Sequence, residues 1–143
     1  MELRVAQIFP SQEWVEDLIR VVNTDSRYAE IARNWEGDLI FVIEPDEGQE
    51  PQGDTLRIYL DLWHGRCRGG HLITDNEGSV LLPRYVLSAP RSIFLKILSG
   101  KLDAVQAMLT RRLRVDGRLA YMLRNIPTVL DFFRCARQVE IYV

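Results

Sequence analysis

Apolar residues at the start of the chain recur at spacings of three and four, the pattern typical of amphipathic helices. The first stripe begins behind Ser11, a good N-cap residue. Thr24-Asp25-Ser26 can end one helix and cap the next, and Gly37 ends the second stripe. The sequence therefore predicts two consecutive helices, whose stripes are Trp14, Val15, Leu18, Ile19 and Val22, then Tyr28, Ile31, Ala32 and Trp35.

The middle of the chain changes to the two-residue period of strands. Residues 38–44 predict a strand, and residues 45–53 predict a polar, acidic loop. Residues 55–63 alternate strictly and predict a half-buried strand, because a slip of one residue would move the whole apolar set to solvent. The buried set is Leu56, Ile58, Leu60 and Leu62, with Arg57 and Asp61 on the other side.

Turn signals continue the strand region. His64-Gly65 predicts a tight turn, with residues 67–74 returning as the hairpin partner. Residues 76–78 predict another turn. Residues 80–87 predict a strand, which Pro83 places at a sheet edge or a bulge because proline cannot donate to a sheet ladder.

Helical signals dominate the C-terminal part. Ser88-Ala89-Pro90 predicts a helix start and Gly100 a helix end, and Asp103 and Pro127 open later helices. A short strand at 113–115, a helical stretch beginning at Leu119 and an edge strand at 139–143 complete the pattern. The order of elements predicts an α+β fold, with a mostly antiparallel sheet of about five strands and helices packed on one face.

Composition fits one globular domain over residues 1–143, of which 47% are hydrophobic and 27% charged. The net charge of −2 gives no support to nucleic-acid binding. The longest clean apolar run, residues 39–43, is far shorter than the ~20 residues that span a bilayer, so we expect no stable membrane insertion. The absence of a signal-peptide pattern and the two cysteines, Cys67 and Cys135, lead us to expect a cytoplasmic protein.

Charge is distributed unevenly along the chain. The first 50 residues carry four arginines and twelve acidic residues, whereas residues 101–143 carry eight basic and four acidic residues. Sixteen of the eighteen basic residues are arginine, which holds carboxylates and phosphates in bidentate contacts. This pattern fits either ion pairing within the fold or a C-terminal face that binds anions.

Catalytic signatures are weak. His64, Cys67 and His71 form an H-x2-C-x3-H spacing that matches no zinc site known to us and is better explained by a hairpin turn. No nucleophile-elbow, dinucleotide-binding or phosphate-loop motif is present. We therefore expect no enzymatic activity, no metal and no cofactor.

The C-terminal helices carry many large apolar side chains. They either fill a core or wall an apolar cavity, and methionines favour the cavity slightly because a flexible thioether adapts to variable guests. The wall candidates are Phe94, Leu98, Met108, Met122, Leu123, Ile126 and Phe133.

A family resemblance favours the cavity. The helix end formed by Phe94, Ile97, Gly100, Lys101, Leu102 and Asp103 resembles the F-x-x-L-x-x-G-K-hydrophobic-(D/N) segment of the sterol carrier protein 2 domain, with Ile97 at the family's leucine position. Residues 107–117 and 119–123 resemble the short strand and the closing helix that follow. The likeness is sharpest over residues 90–126, and residues 127–143 form a C-terminal extension. The sequence departs where Arg111 replaces a usual glycine and where Pro83-Arg84 occupies positions that often hold aspartate.

The resemblance implies non-catalytic carriage of a lipid in an apolar tunnel between the sheet and the C-terminal helices. A sterol, a fatty acid, an acyl-CoA and an isoprenoid-like lipid all remain open as the ligand. Arg118, Arg124, Arg134 and Arg137 lie on the helices near the implied tunnel, and of these Arg118 and Arg124 are the possible contacts for an anionic head group. Pairing of these arginines with the acidic N-terminal helices is the alternative. The other interpretation of the apolar helices is a protein-interaction module, including a homodimer.

Overall fold

The computed structural model describes residues 6–46, 55–74 and 82–142. Residues 47–53 of the loop predicted at 45–53 and the turn predicted at 76–78 lie outside these residues. The strands are β1 (Leu39–Glu44), β2 (Leu56–Trp63), β3 (Arg66–Leu72), β4 (Tyr85–Pro90) and β5 (Arg114–Asp116). The helices are α1 (Gln12–Thr24), α2 (Ser26–Ile31), α3 (Arg91–Leu98), α4 (Ala104–Leu109), α5 (Leu119–Arg124) and α6 (Ile126–Ala136).

The five strands form one mixed sheet in the order β3-β2-β1-β4-β5. Strands β1 and β4 are parallel, and the three other neighbouring pairs are antiparallel. The predicted α+β class with a mostly antiparallel sheet of five strands is therefore confirmed.

One face of the sheet carries the core. In the sheet register, Phe41 of β1 lies beside Ile58 of β2 and Leu87 of β4, so the apolar sets of three strands share one face. The alternation predicted for β2 is confirmed, because Ile58, Leu60 and Leu62 are buried. Leu56 is only half-buried because it lies at the first position of the strand.

The opposite face of β2 is polar, as the alternation predicted. Arg57 is exposed. Asp61 accepts two hydrogen bonds from the guanidinium of Arg68 on β3, at 3.1 and 3.2 Å. The same guanidinium lies 4.6 Å from the ring centre of Trp63, a cation–π contact. Cross-strand contacts of this kind support the β2–β3 pairing.

Helix caps occur where the sequence predicted them. Ser11 Oγ accepts a hydrogen bond from the backbone N–H of Trp14 at 3.1 Å, and Asp25 Oδ1 accepts one from Tyr28 N–H at 2.8 Å. Asp103 caps α4 in the same way. Each cap satisfies a backbone donor that the helix itself leaves unpaired, and its loss costs about 1 kcal/mol.

The β2–β3 hairpin turns through two residues of positive φ, His64 (50°) and Gly65 (81°). A Cβ at Gly65 would lie 2.6 Å from the carbonyl oxygen of Ala29, so this position needs glycine for space as well as for conformation. Arg111 also has positive φ, at 61°. This is the position where the resemblance leads us to expect glycine, and the backbone keeps the glycine-like conformation.

The strand prediction at 80–87 is wrong in the bounds of the strand and in its position within the sheet. Strand β4 begins at Tyr85 and continues to Pro90, so Ser88 and Ala89 extend the strand instead of opening α3. Pro83 precedes the strand, and β4 lies inside the sheet between β1 and β5. The alternation of buried residues continues through Ala89, and only Pro90, with extended backbone, starts α3.

The C-terminal tail does not add an edge strand to the sheet. The N–H of Gln7 donates to the carbonyl of Glu140 at 2.8 Å, and the N–H of Tyr142 donates to the carbonyl of Gln7 at 2.9 Å. These bonds make a single parallel bridge between Gln7 and Ile141. Helix α6 packs beside α1, so the tail leaves α6 next to the segment that precedes α1 and pairs there.

Candidate functional site

A cavity lies between the core face of the sheet and helices α4, α5 and α6. The sheet supplies the floor, and the helices supply the roof. The floor residues are Leu39, Phe41, Leu62 and Leu87, and the roof and side residues are Tyr28, Trp35, Met108, Met122, Thr128, Val129, Phe132 and Phe133.

The wall of this cavity exposes no polar atom. Thr128, the one hydroxyl on α6 that lines it, donates its proton to the carbonyl of Ile31 at 3.3 Å. The indole N–H of Trp35 donates to the carbonyl of Gly37 at 2.9 Å. Burial raises the pKa of Tyr28, so its phenol stays neutral. Because the polar groups already have partners or stay neutral, the cavity suits an apolar guest.

The cavity is much smaller than the expected range for a ligand site, roughly 300–1,000 Å³. The volume within which the centre of a water molecule fits is about 30 Å³. The total empty space between the lining atoms, which includes the opening to solvent, is about 350 Å³. A space of the size of a typical ligand site is therefore not preformed inside the wall of this cavity. A long acyl chain enters only if a wall moves.

Three of the predicted wall residues, Met108, Met122 and Phe133, line the cavity. Phe94 and Leu98 are buried but do not line it, because α3 packs beside β1 and β4; the ring centre of Phe94 lies 5.5 Å from that of Phe41. Leu123 and Ile126 are half-buried and also lie outside the lining. A role for these four in ligand binding stays a prediction.

The sequence reasoning missed the floor of the cavity and part of its roof. Phe41 lies within 6.1 Å, centre to centre, of both Phe132 and Phe133, so one ring on β1 contacts two neighbouring rings on α6. The signal for Phe41 and Leu39 was the buried strand β1. The sequence predicted that strand at residues 38–44, but the periodicity of a strand does not reveal which of its residues face a void.

Helix α5 is a wall of only six residues. Its N-cap, Arg118, makes no side-chain cap hydrogen bond, whereas at its other end the side-chain amide of Asn125 donates to the carbonyl of Tyr121 at 2.7 Å. Tyr121 holds α5 by accepting a hydrogen bond from the N–H of Glu36 at 3.2 Å and by packing its ring 5.1 Å from that of Trp35. Its neighbour Met122 lines the cavity, so a movement of α5 away from the sheet would enlarge it.

The two arginines predicted as head-group contacts, Arg118 and Arg124, are exposed at the ends of α5, within the helical wall that contains Met122. Within the described part of the chain, neither forms an ion pair. Arg137 is exposed as well. The structure therefore leaves Arg118 and Arg124 free for an anion close to the cavity.

Arg134 has a different role, and here the alternative of pairing with the N-terminal helices is correct. Its guanidinium donates to Asp25 Oδ1 and to Asp131 Oδ1, both at 2.7 Å, and Arg27 adds a contact to Asp131 at 3.3 Å. The hydrogen bond from Arg134 lowers the pKa of Asp25 to about 2. This cluster ties α6 to the start of α2.

The acidic oxygens of this cluster and the thiol of Cys135 lie within 4.8 Å of one another. Arg134 already supplies the positive charge between the carboxylates, and burial raises the pKa of the Cys135 thiol to about 12. The thiol therefore stays protonated and is a poor metal ligand or nucleophile at neutral pH. The cluster is an internal ion pair that stabilises the fold.

The histidine–cysteine spacing does not assemble into one group. His64 Nε2 lies 2.6 Å from Glu36 Oε2, and the thiol of Cys67 donates to the carbonyl of Gly69 at 3.2 Å. Burial raises the pKa of the Cys67 thiol to about 11, which again disfavours the reactive thiolate. These residues serve the hairpin and its contacts.

No helix in the described ranges is long and apolar enough to cross a membrane.

Comparisons with known proteins agree on the fold. The chain is similar to a crystal structure of sterol carrier protein 2, with 27% identity and a TM-score of 0.78 over 90% of this chain and 97% of that one. It is similar to a solution structure of a conserved hypothetical protein of Thermus thermophilus, described as a candidate sterol carrier protein, with 25% identity and a TM-score of 0.80 over 98% and 94% of the two chains.

A third structure, the apo form of sterol carrier protein 2 from Yarrowia lipolytica, is 19% identical with a TM-score of 0.57 over 96% and 98% of the two chains, and this likeness shows the fold alone. No curated protein matches the chain by sequence. The model of the SCP-2 sterol transfer family matches residues 15–129. Because this match spans most of the chain, the chain belongs to the SCP-2 sterol transfer family.

Proposed function

We propose that the protein binds and carries a lipid, without catalysis, in the apolar cavity between the sheet and helices α4–α6. The observation that carries this proposal is the cavity wall, which exposes no polar atom and lies between the sheet and the helices that close the fold. Family membership supports the same function, since the matching model describes sterol transfer and the solved relatives are named sterol carrier proteins.

The free energy of burying an acyl chain is large enough to open this cavity. Each buried CH₂ contributes about 0.8 kcal/mol, so a dozen CH₂ groups gain roughly 10 kcal/mol. Moving α5 exposes Met122 and breaks the Tyr121 bond to Glu36, each worth about 1–3 kcal/mol. The half-buried residues Leu123 and Ile126 then become wall residues of the enlarged cavity, as the sequence predicted.

The cavity offers no group for chemistry on a guest. Its hydroxyl and indole donors are satisfied within the fold. Both cysteines are buried with raised thiol pKa values. A carrier needs only shape and apolar surface, and these are what the described residues supply. The two free thiols also support a reducing compartment, and we place the protein in the cytoplasm.

Self-association through the apolar helical face is less well supported. That face is used inside the monomer, because Phe94, Ile97, Phe132 and Phe133 are all buried. Offering it to a partner would uncover the core. A solution mass measurement distinguishes the two interpretations, since carriage needs only a monomer.

The head-group contact predicts a salt effect. If Arg118 and Arg124 meet a carboxylate at the mouth of the cavity, affinity for a fatty acid falls several-fold between about 0.05 and 0.5 M salt, because exposed charge pairs are screened. The R118Q/R124Q variant should bind about three- to tenfold more weakly at low salt and lose the salt dependence. Titration with a fluorescent fatty acid measures both quantities.

A matched control is the R57Q/R66Q variant, which removes two exposed arginines from β2 and β3, on the sheet face opposite the buried residues Ile58 and Cys67. It should bind like the parent. Equal salt slopes for the parent and R118Q/R124Q would remove the head-group role while leaving apolar binding intact.

Loosening α5 should speed exchange of the ligand. The Tyr121→Phe variant leaves the N–H of Glu36 without its acceptor. It should lower the free energy of unfolding by about 0.5–1.5 kcal/mol and raise the rates of fatty-acid uptake and release about three- to tenfold. Stopped-flow fluorescence measures the rates, and Tyr142→Phe, at an exposed tyrosine of the tail, is the control. Unchanged rates in a destabilised Tyr121→Phe protein would show that α5 is not the entrance.

A further inference from the structure

We propose that the rim of the molecule formed by residues 109–124 docks onto an anionic lipid bilayer. This segment, called the β5 rim here, comprises the end of α4, the edge strand β5 and helix α5. The inference rests on the proposed function, because a carrier must meet the membrane that gives or receives its lipid. It adds the surface that makes this contact and the charge of the membrane that the surface prefers.

The β5 rim is strongly basic in a chain of net charge −2. It carries five arginines and one acidic residue, Asp116. Arg114 is neutralised by Glu44 of β1. The four remaining arginines are exposed and, among the residues that the structure describes, form no ion pair; they are Arg111, Arg112, Arg118 and Arg124. Arginines without internal partners are available for lipid phosphates, which they hold in bidentate contacts.

Exposed leucines accompany these arginines. Leu109 is 58% exposed and Leu119 is 39% exposed, whereas most large apolar residues of the fold are buried. Both lie on helices that contribute to the cavity wall, since Met108 of α4 and Met122 of α5 line it. A third exposed leucine, Leu130 on α6, follows the cavity residue Val129.

Leucines among unpaired arginines fit a bilayer surface better than an acidic protein. Peripheral membrane segments combine apolar side chains that enter the interface with basic ones that meet anionic head groups. The position beside the cavity adds a second reason, because an acyl chain could pass from the bilayer under α5 with little exposure to water. Edge strand β5 is only three residues long, so the rim offers little for pairing with a strand of another protein.

The charge predicts the size of the effect. One arginine near an anionic membrane surface changes the partition coefficient about fivefold. Co-sedimentation with vesicles of phosphatidylcholine containing about 30% phosphatidylserine should therefore retain the parent protein, and R111Q/R112Q should partition about 25-fold more weakly. Vesicles of phosphatidylcholine alone should retain neither protein. The control R57Q/R66Q removes the same charge from the sheet face opposite the core and should behave like the parent.

The leucines are tested in the same assay. Leu109→Ser should weaken partitioning about five- to tenfold, because less apolar area enters the interface. Ile8→Ser removes a comparably exposed apolar side chain next to the tail bridge, outside the rim, and should have no effect. If both variants partition like the parent, the arginines alone account for membrane binding, and the role of the leucines is overturned.

The result that overturns the proposal is a parent protein that ignores phosphatidylserine vesicles, or an R111Q/R112Q variant that partitions like R57Q/R66Q. An acidic protein partner for the rim would give the first of these results. Failure of the proposed function is a separate outcome: the parent would then bind no fluorescent fatty acid in solution. Arg111 and Arg112 lie outside the cavity lining. The R111Q/R112Q variant should therefore bind fatty acid in solution like the parent, although its partitioning into the vesicles is weakened.

Discussion

The Arg134→Met variant should lose about 3 kcal/mol of stability, since removing one partner of a buried ion pair leaves the other charge without compensation. Asp25 and Asp131 are the charges left behind, and the side chain of Asp131 is only 3% exposed. Arg27 contacts the same carboxylate at 3.3 Å and compensates part of the loss. Denaturant unfolding of the parent and the variant measures the difference.

Two further variants sharpen this test. Arg137→Met, at the exposed end of the same helix, should cost less than about 0.5 kcal/mol. The double variant R134M/D131L removes both charges and should recover much of the loss, because a buried pair can be replaced by apolar residues at little cost. A loss in Arg134→Met no larger than that in Arg137→Met would contradict the role given to the cluster.

The same cluster sets a pH dependence. Arg134, by its hydrogen bond, lowers the pKa of Asp25 to about 2, below its ordinary value of 3.8. The folded state therefore favours the ionised carboxylate, and its contribution, about 2 kcal/mol, is present above pH 3.8 and disappears as the pH falls toward 2. In Arg134→Met, the part of the acid dependence between about pH 4 and 2 that comes from Asp25 should largely vanish.

The Met122→Trp variant should lose at least about tenfold of its affinity for a fatty acid. Met122 is 2% exposed and lines a cavity with about 30 Å³ open to the centre of a water molecule, so an indole ring fills the space that a guest must enter. Overpacking should also cost about 1–3 kcal/mol of stability. Fatty-acid titration and thermal unfolding of the same sample separate the two effects.

Two controls distinguish a blocked cavity from a damaged fold. Leu130→Trp places the same ring on α6 at a position that is 38% exposed, and should change neither quantity much. Met122→Ala should destabilise the free protein by about 2–5 kcal/mol but keep its affinity, because it enlarges the cavity. Equal affinity of Met122→Trp and the parent would place the ligand elsewhere.

The sequence was most informative where one local rule determined the outcome. Ser11, Asp25 and Asp103 each cap the helix that they were expected to cap. Strand β2 has the register that its alternation demanded. These features depend on neighbours in the chain, so a single sequence contains them.

Features that depend on distant contacts were less accessible. Because of Pro83, residues 80–87 were predicted as a strand at a sheet edge or a bulge. Strand β4 instead starts after the proline and lies inside the sheet, because its pairing with β1 and β5 decides its position. Arg134 was grouped with Arg118 and Arg124 in the sequence, and its pairing with Asp25, 109 positions away, depends on how the helices pack. The cavity volume depends on how closely α4, α5 and α6 approach the sheet, which no periodicity encodes.

The most direct test of lipid carriage is organic extraction of freshly purified protein, followed by mass spectrometry of the extract. We expect a lipid with a long apolar chain or ring system, close to one per protein chain in the parent and greatly reduced in Met122→Trp. Arg137→Met, processed in parallel, should carry as much lipid as the parent. A parent that yields no lipid, and that takes up none when incubated with fatty acid or sterol, would show that the protein is not a lipid carrier.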